Sequence, residues 1–255
     1  MRYWGQNIEI DGSYYNTPMG KSLLPTPAEM AMLRATGNFY QNEGDVEVYE
    51  VTIQNMLREI EKNPVGEILI SKINRAPKKL RIIPLLGKEE MKGQNFCANP
   101  VGSYNRSGGN DCVIWYEPWS RMLNLFTGTG NSPYQVLVHE LQHAVRQLWG
   151  KWNPTAPLLT ITGAAPFPNA EELYSVTIEN MYLSAAKEPQ RMLGAYAQNV
   201  PLGNRTDRDY YKQYGNELEV WCKDMPDMTI LLERLYGIWN PIGVRRGVLD
   251  FVITL

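Results

Sequence analysis

The clearest alternation of apolar and polar positions runs from Asn131 to Gly150. Tyr134, Leu137, Val138, Leu141, Val145 and Leu148 recur at spacings of three and four, which makes one broad stripe of a helix apolar and turns it toward a core. The ends carry helix signals: Ser132 to cap the first free amides, Pro133 at the first helical position, Gln135 where a capping box wants its acceptor, and Gly150 as the stop. A second helix is predicted from Asn169 to Tyr182, with Leu173, Val176, Met181 and Tyr182 facing inward. Thr26-Pro27-Ala28-Glu29 predicts a short helix from Pro27 to Gly37, and another is expected from Asp45 to Lys62, closed by Asn63-Pro64. Thr229 to Tyr236 reads as a core-facing helix.

Strand signals are shorter. Residues 3 to 24 suggest a strand or hairpin followed by loop. Glu67 to Ile73 and Lys79 to Pro84 are rich in Ile and Leu between Pro, Gly and Asn, and read as strands. Residues 85 to 110 read as an irregular connection, ending in a turn-rich lead into a third strand, Cys112 to Glu117, which Pro118 closes. Extended polypeptides often bind as one more strand on a sheet edge, so residues 111 to 117 are either such an edge or an interior strand. Residues 151 to 168, with four prolines and a glycine, are expected as a surface loop at the lip of a cleft.

Composition narrows the class. At 255 residues, with 44% hydrophobic and 20% charged positions, the chain can bury a sizeable core and is expected to form one soluble domain of two lobes over 1–255. A formal charge of −2 and the lack of a long basic run argue against a nucleic-acid partner. No apolar stretch reaches the roughly 20 residues of a membrane span, and the first residues lack a secretory hydrophobic core. Cys97, Cys112 and Cys222 form no Cys-x-x-Cys pair, so reduced buried thiols are expected in preference to a Cys97–Cys112 bridge.

The predicted central helix carries His139-Glu140-Leu141-Gln142-His143, the His-Glu-x-x-His pattern of zinc peptidases. Residues four apart stand above one another on a helix, so His139 and His143 can offer two imidazole nitrogens to one zinc ion. Glu140, one residue round, can take a proton from a water beside the metal and hand it to a leaving amine. Chance matches to so short a motif occur, but the chain has only two histidines and both lie here, in a capped amphipathic helix.

A catalytic zinc needs a third protein ligand, and with no further histidine it must be a carboxylate or, less readily, a cysteine. The helix from Asn169 offers Glu171, Glu172 and Glu179. Glu171 reads equally well as a solvated charge, whereas one of Glu172 and Glu179 would ligate and the other steer a histidine from behind. Asp207 and Asp209 are minor alternatives. An oxyanion donor could come from Tyr174, Tyr182, Arg205, Tyr210 or Tyr211, each as readily a packing or surface residue. Arg245 and Arg246 read as a solvated pair.

The run Asn105 to Asp111, the strand ending at Pro118, Ser132-Pro133 leading into Leu137-Val-His-Glu-Leu-Gln-His-Ala144, and Gly150 together resemble bacterial effector and toxin zinc peptidases of the NleD-like family. That family also supplies toxin domains attached to type VI secretion spike proteins. Glu171-Glu-Leu-Tyr-Ser-Val-Thr-Ile-Glu-Asn180 is similar to its Glu-Glu-x-x-Thr-Val block, and Trp239-Asn-Pro241 to its Phe-Asn-Pro, with Ser175 and Trp239 standing where Thr and Phe are expected. The likeness covers roughly residues 100 to 245, which leaves residues 1–100 as a portion for substrate recognition.

The resemblance implies Glu172 as the third zinc ligand and a zincin-like α+β fold, with a small sheet and the active-site helix over a mainly helical lower lobe. It implies a protease that is cytoplasmic where it is made and is then secreted or injected into a target cell, by type III or type VI secretion. Its expected partners are a polypeptide substrate there, a secretion-apparatus or spike protein, and an immunity protein. Two rivals stand beside it: a zinc hydrolase of a cell-wall or other non-peptide amide, and a non-catalytic interaction module with a vestigial motif.

Overall fold

The computed structural model describes residues 1–12, 43–84, 96–98, 108–116, 118, 132–153, 155, 157–158, 166–189, 192–194 and 201–245, with the side chains of 43–45 and 96–98 left aside. Strands β1 (Arg2–Trp4) and β2 (Ile8–Ile10) form an antiparallel hairpin turning at Gly5, as the first residues suggest. Helices α1 (Glu43–Glu61) and α2 (Pro64–Asn74) follow, then β3 (Leu80–Pro84), β4 (Phe96–Ala98) and β5 (Cys112–Tyr116). The remaining helices are α3 (Pro133–Leu148), α4 (Ala170–Ala185), α5 (Asp207–Asp224) and α6 (Pro226–Glu233). The expected helix from Pro27 to Gly37 lies outside the described residues.

The strands form one mixed sheet in the order β1-β2-β3-β5-β4. β2 runs parallel to β3 with Ile8 opposite Leu80, and β3 runs parallel to β5 with Ile82 opposite Ile114. Parallel neighbours need a crossover, and α1 and α2 supply it between β2 and β3. Ile8, Ile10, Leu80, Ile82 and Ile114 are buried with the apolar faces of α1, α2 and α3 in one core.

Two expectations are corrected here. Glu67 to Ile73 is not a strand but most of α2. Asn63 caps that helix by accepting from the Val65 amide, Pro64 takes the first position, and Val65, Leu69, Ile70 and Ile73 are buried at helical spacing. The Asn63-Pro64 break therefore ends one helix and starts another. Gly66 allows the tight corner, because a Cβ there would lie 1.9 Å from the Ile60 carbonyl oxygen. The second correction concerns the connection 85–110, which holds a strand, and of the two readings of 111–117 the interior one fits Cys112–Tyr116. β4, arising inside the supposed irregular connection 85–110, pairs antiparallel along its outer side and forms the edge.

Several bonds fix α3 against this sheet. Tyr116 at the end of β5 donates its hydroxyl to the Pro133 carbonyl at 2.6 Å, and Tyr49 on α1 donates to the Tyr116 carbonyl. At the other end Gly109 (φ +71°) leads into β5 pressed against the α3 terminus, where a Cβ would meet the Leu148 carbonyl, and the Asn110 amide donates to the Gln147 carbonyl. Ser132 makes no side-chain cap bond, contrary to expectation, and Gln135 turns inward instead. Gly150, at φ +66°, ends the helix as predicted.

The far side of α3 packs on α4, which Asn169 caps through the Glu172 amide. Behind α4, Tyr174 stacks on Trp221 of α5, and Tyr210 packs on both Tyr214 and Trp239. Thr206 and Asp209 form a reciprocal capping box on α5. α6 begins and ends earlier than the expected Thr229–Tyr236: it buries Met228, Thr229 and Leu232, while Ile230, Leu231 and Tyr236 are exposed. Arg245 is no solvated charge: it pairs with Glu219 and Glu233, while Arg246 lies outside the described residues. Cys112 and Cys222 are both buried. No helix among the described residues is long and apolar enough to cross a membrane.

Candidate metal centre

His139 and His143 project from the middle of α3 toward the first turns of α4, and both are buried. Their Nε2 atoms lie 3.0 Å apart. The Glu172 carboxylate meets them from α4, with Oε2 at 3.1 Å from His139 Nε2 and Oε1 at 3.5 Å from His143 Nε2. Ligands held about 2.0–2.1 Å from a tetrahedral ion stand roughly 3.3 Å from each other, so this is the spacing of a metal-ligand set. Among the described residues His139, His143 and Glu172 form the group able to hold a metal ion.

Hydrogen bonding on the outer side of the histidines bears on the same question. His139 Nδ1 lies 2.8 Å from Glu179 Oε2, and the other Glu179 oxygen accepts from Gln135 Nε2 at 2.6 Å. An imidazole that donates Nδ1–H to Glu179 turns the lone pair of Nε2 toward the Glu172 carboxylate. Two electron-rich atoms face each other there, and either a proton or a cation must stand between them. This donor set fits a divalent ion.

Without a metal, the surroundings of His139 favour a proton in that place. Burial opposes charge on His139, but bonds to Glu172 and Glu179 outweigh it and hold its pKa well above the ordinary histidine value. Burial would also raise the Glu172 carboxyl, yet the two histidines win and hold it well below the usual carboxylate range. His143 shifts down, first through burial and then through the charge on His139, despite the bond from Glu172.

Around His143 the contacts differ. Ser175 Oγ lies 3.0 Å from Nδ1 and 3.4 Å from Nε2, within hydrogen-bond distance of the ring nitrogens. The half-buried Trp152 indole meets the same imidazole edge to face, with ring centroids 4.6 Å apart. Glu140 is buried on α3 next to His139.

Glu171 departs from its solvated reading. It is fully buried and pairs with Arg146 of α3. Asp209 is engaged in the α5 cap, and Asp207 sits in the same first turn. The hydroxyl of Tyr210 bonds Thr177, Tyr211 donates to Glu219, and Tyr174 is sandwiched between Trp221 and Arg146, so all three are accounted for by packing. Tyr182 is buried, with its phenol pushed up to about 12 by burial, and Arg205 lies near Tyr214. Sequence reasoning passed over Arg146, Trp152 and the contact of Ser175. Only Arg146 left a signal: a charge one turn beyond His143 in an otherwise buried helix.

A His-Glu-x-x-His helix facing a carboxylate from the next helix is the working arrangement of metal-dependent peptidases. The family comparison agrees with that class. The model of the Peptidase M91 family, described as effector protein, matches residues 36–172, more than half of the sequence, and the chain belongs to this NleD-like effector family. The match begins well inside the first hundred residues and ends on Glu172. No curated protein matches the chain.

Proposed function

We propose that the chain is a zincin-type, zinc-dependent endopeptidase that acts on a polypeptide inside a target cell. The observation that carries this reading is the convergence of His139, His143 and Glu172 beside a buried Glu140 on two packed helices. Two imidazoles and one carboxylate leave a fourth position for water or substrate, the pattern of a catalytic rather than a structural zinc site. When bound, zinc would polarise the scissile carbonyl and bring the pKa of a water molecule toward neutrality.

The protein's own residues divide the rest. His139, His143 and Glu172 hold the ion, and Glu179 keeps Nε2 of His139 directed inward. Glu140 accepts the proton of the attacking water and returns it to the departing amine, so that no free amide anion leaves. Burial around the histidines, with Trp152 against His143, keeps bulk water from competing for these charges. Membership of an effector family supports delivery by a secretion apparatus such as type III or type VI, with a spike protein and an immunity protein as partners of such a delivered enzyme.

The test pairs metal analysis with a substrate screen. Zinc-loaded wild type and Glu140→Gln are incubated with denatured protein and, separately, with purified peptidoglycan, and products are read by mass spectrometry. New peptide termini from the wild type alone support the reading. Release of cell-wall fragments alone would replace it with an amide hydrolase of another class, and equal inertness of both zinc-bound proteins on both substrates would favour an interaction module.

A further inference from the structure

We propose that Arg146 and Glu171 are positioning residues that set Glu172 and Trp152 about the two histidines, so that metal affinity depends on an ion pair contributing no ligand atom. This deepens the proposed function and rests on its reading of His139, His143 and Glu172 as ligands. Arg146 lies three residues beyond His143 on α3 and is 2% exposed, and Glu171 immediately precedes Glu172 on α4 and is 0% exposed. Arg146 Nε donates to Glu171 Oε2. Its Nη2 donates to the Lys151 carbonyl at 2.6 Å and to Asp224 Oδ2 at 3.2 Å, and its guanidinium carbon stands 4.8 Å from the Tyr174 ring centroid. The other Glu171 oxygen accepts from the Asn153 amide at 2.9 Å.

One guanidinium thus joins the active-site helix, the first turn of the helix bearing Glu172, the strap 151–153 and the end of α5. The rotation of that first turn is held from two directions: Asn169 accepts from the Glu172 amide, and the Glu171 side chain is held by Arg146. Trp152 lies between the two strap residues that bond the pair, Lys151 through its carbonyl and Asn153 through its amide. The backbone bonds on either side of Trp152 therefore decide where its indole meets His143.

A buried ion pair is a poor device for stability alone, because removing both charges from water is costly and an apolar pair of similar volume commonly holds a fold as well. What an apolar pair lacks is direction. The planar fork of arginine fixes angles as well as distances, and here those angles orient a carboxylate next in sequence to the one facing the histidines.

The experiment measures zinc affinity by chelator competition at matched stability, using wild type, Arg146→Lys and the double variant Arg146→Met/Glu171→Leu, with thermal unfolding of the metal-free proteins alongside. The inference expects the double variant to unfold near the wild-type temperature yet bind zinc about tenfold more weakly or worse, the range typical of groups that orient metal ligands. Arg146→Lys, which keeps the charge but loses the fork, should fall between the two. A folded double variant with wild-type zinc affinity overturns the inference. Should the double variant fail to fold, folded Arg146→Lys decides: wild-type affinity overturns the inference and weakened affinity sustains it. A wild type that binds no zinc instead overturns the ligand reading beneath it.

Discussion

Glu179 Oε2 and His139 Nδ1 lie 2.8 Å apart across the α3–α4 interface, and Nε2 on the other side of that imidazole lies 3.1 Å from Glu172 Oε2. Glu172, Ser175 and Glu179 stand three and seven residues apart on α4, so one face of this helix meets both histidines. Replacing Glu179 with Ala removes the group that fixes the His139 tautomer without touching a ligand. Zinc affinity should fall about 10–100-fold, read by chelator competition. The loss of two buried bond partners should also lower stability by about 1–3 kcal/mol.

Glu140→Gln should leave zinc content at the wild-type level, because Glu140 is outside the set of converging ligand atoms. Peptide hydrolysis should drop by roughly 10²–10⁴-fold, the contribution usual for a general base. Elemental analysis and a cleavage assay on the same preparation separate the two effects. Loss of zinc together with activity would show that Glu140 belongs to the ligand set.

Metal-free protein should show an inverted pH response. The folded-state pKa of His139 is raised, so its stabilising contribution is complete below the unfolded value of about 6.5 and disappears as pH climbs through the folded value. Glu172 is lowered, so its contribution is present above about 4.5 and lost as pH falls through the folded value. The melting temperature of chelator-treated protein should therefore pass through a maximum in mildly acid solution and decline toward alkaline pH. Zinc must displace the His139 proton, so zinc affinity should rise with pH where that stability declines. A melting temperature flat above pH 6.5 would contradict the assignment of the charge.

Gly66→Ala should destabilise despite the better helix propensity of alanine. Propensity favours the change by about 1 kcal/mol, but the new Cβ would sit 1.9 Å from the Ile60 carbonyl oxygen, which is backbone and must move. Such overpacking costs about 1–3 kcal/mol. A thermal melt with a net loss of stability supports the α1–α2 corner, and a gain would argue against it.

The two site helices were readable because their signals are local. Pro133, Gly150 and the spacing of Leu137, Leu141, Val145 and Leu148 mark α3, and Asn169 marks the start of α4. Glu67 to Ile73 misled because Ile68-Leu69-Ile70 is an unbroken apolar run, which suits a buried strand or a buried helix equally. What decided it was the cap at Asn63 together with the close approach of Gly66 to α1, the second of which is a tertiary fact. β4 has three residues and leaves almost no periodicity to detect.

At the site, the placement of His139 and His143 one turn apart on a single helix face is legible from spacing alone, whereas the burial of Glu171 is not. A glutamate in the first turn of a helix ordinarily faces water and favours the helix dipole. It is buried here because Arg146, separated from it by a whole loop, arrives on the facing helix. No pattern within either helix announces such a meeting, although an arginine inside the buried stripe of α3 signals that some acid must approach it.

The parallel pairing of Ile8 with Leu80 has a kinetic consequence. β2 can find its neighbour only after the intervening helices have closed a long loop, and contacts of that sequence separation slow folding. The histidines and Glu172, by contrast, come from successive helices between positions 139 and 172. Assembly of this chain should then be governed by sheet registration at its amino-terminal end, with the helix pair that frames the centre relying on contacts much nearer in sequence.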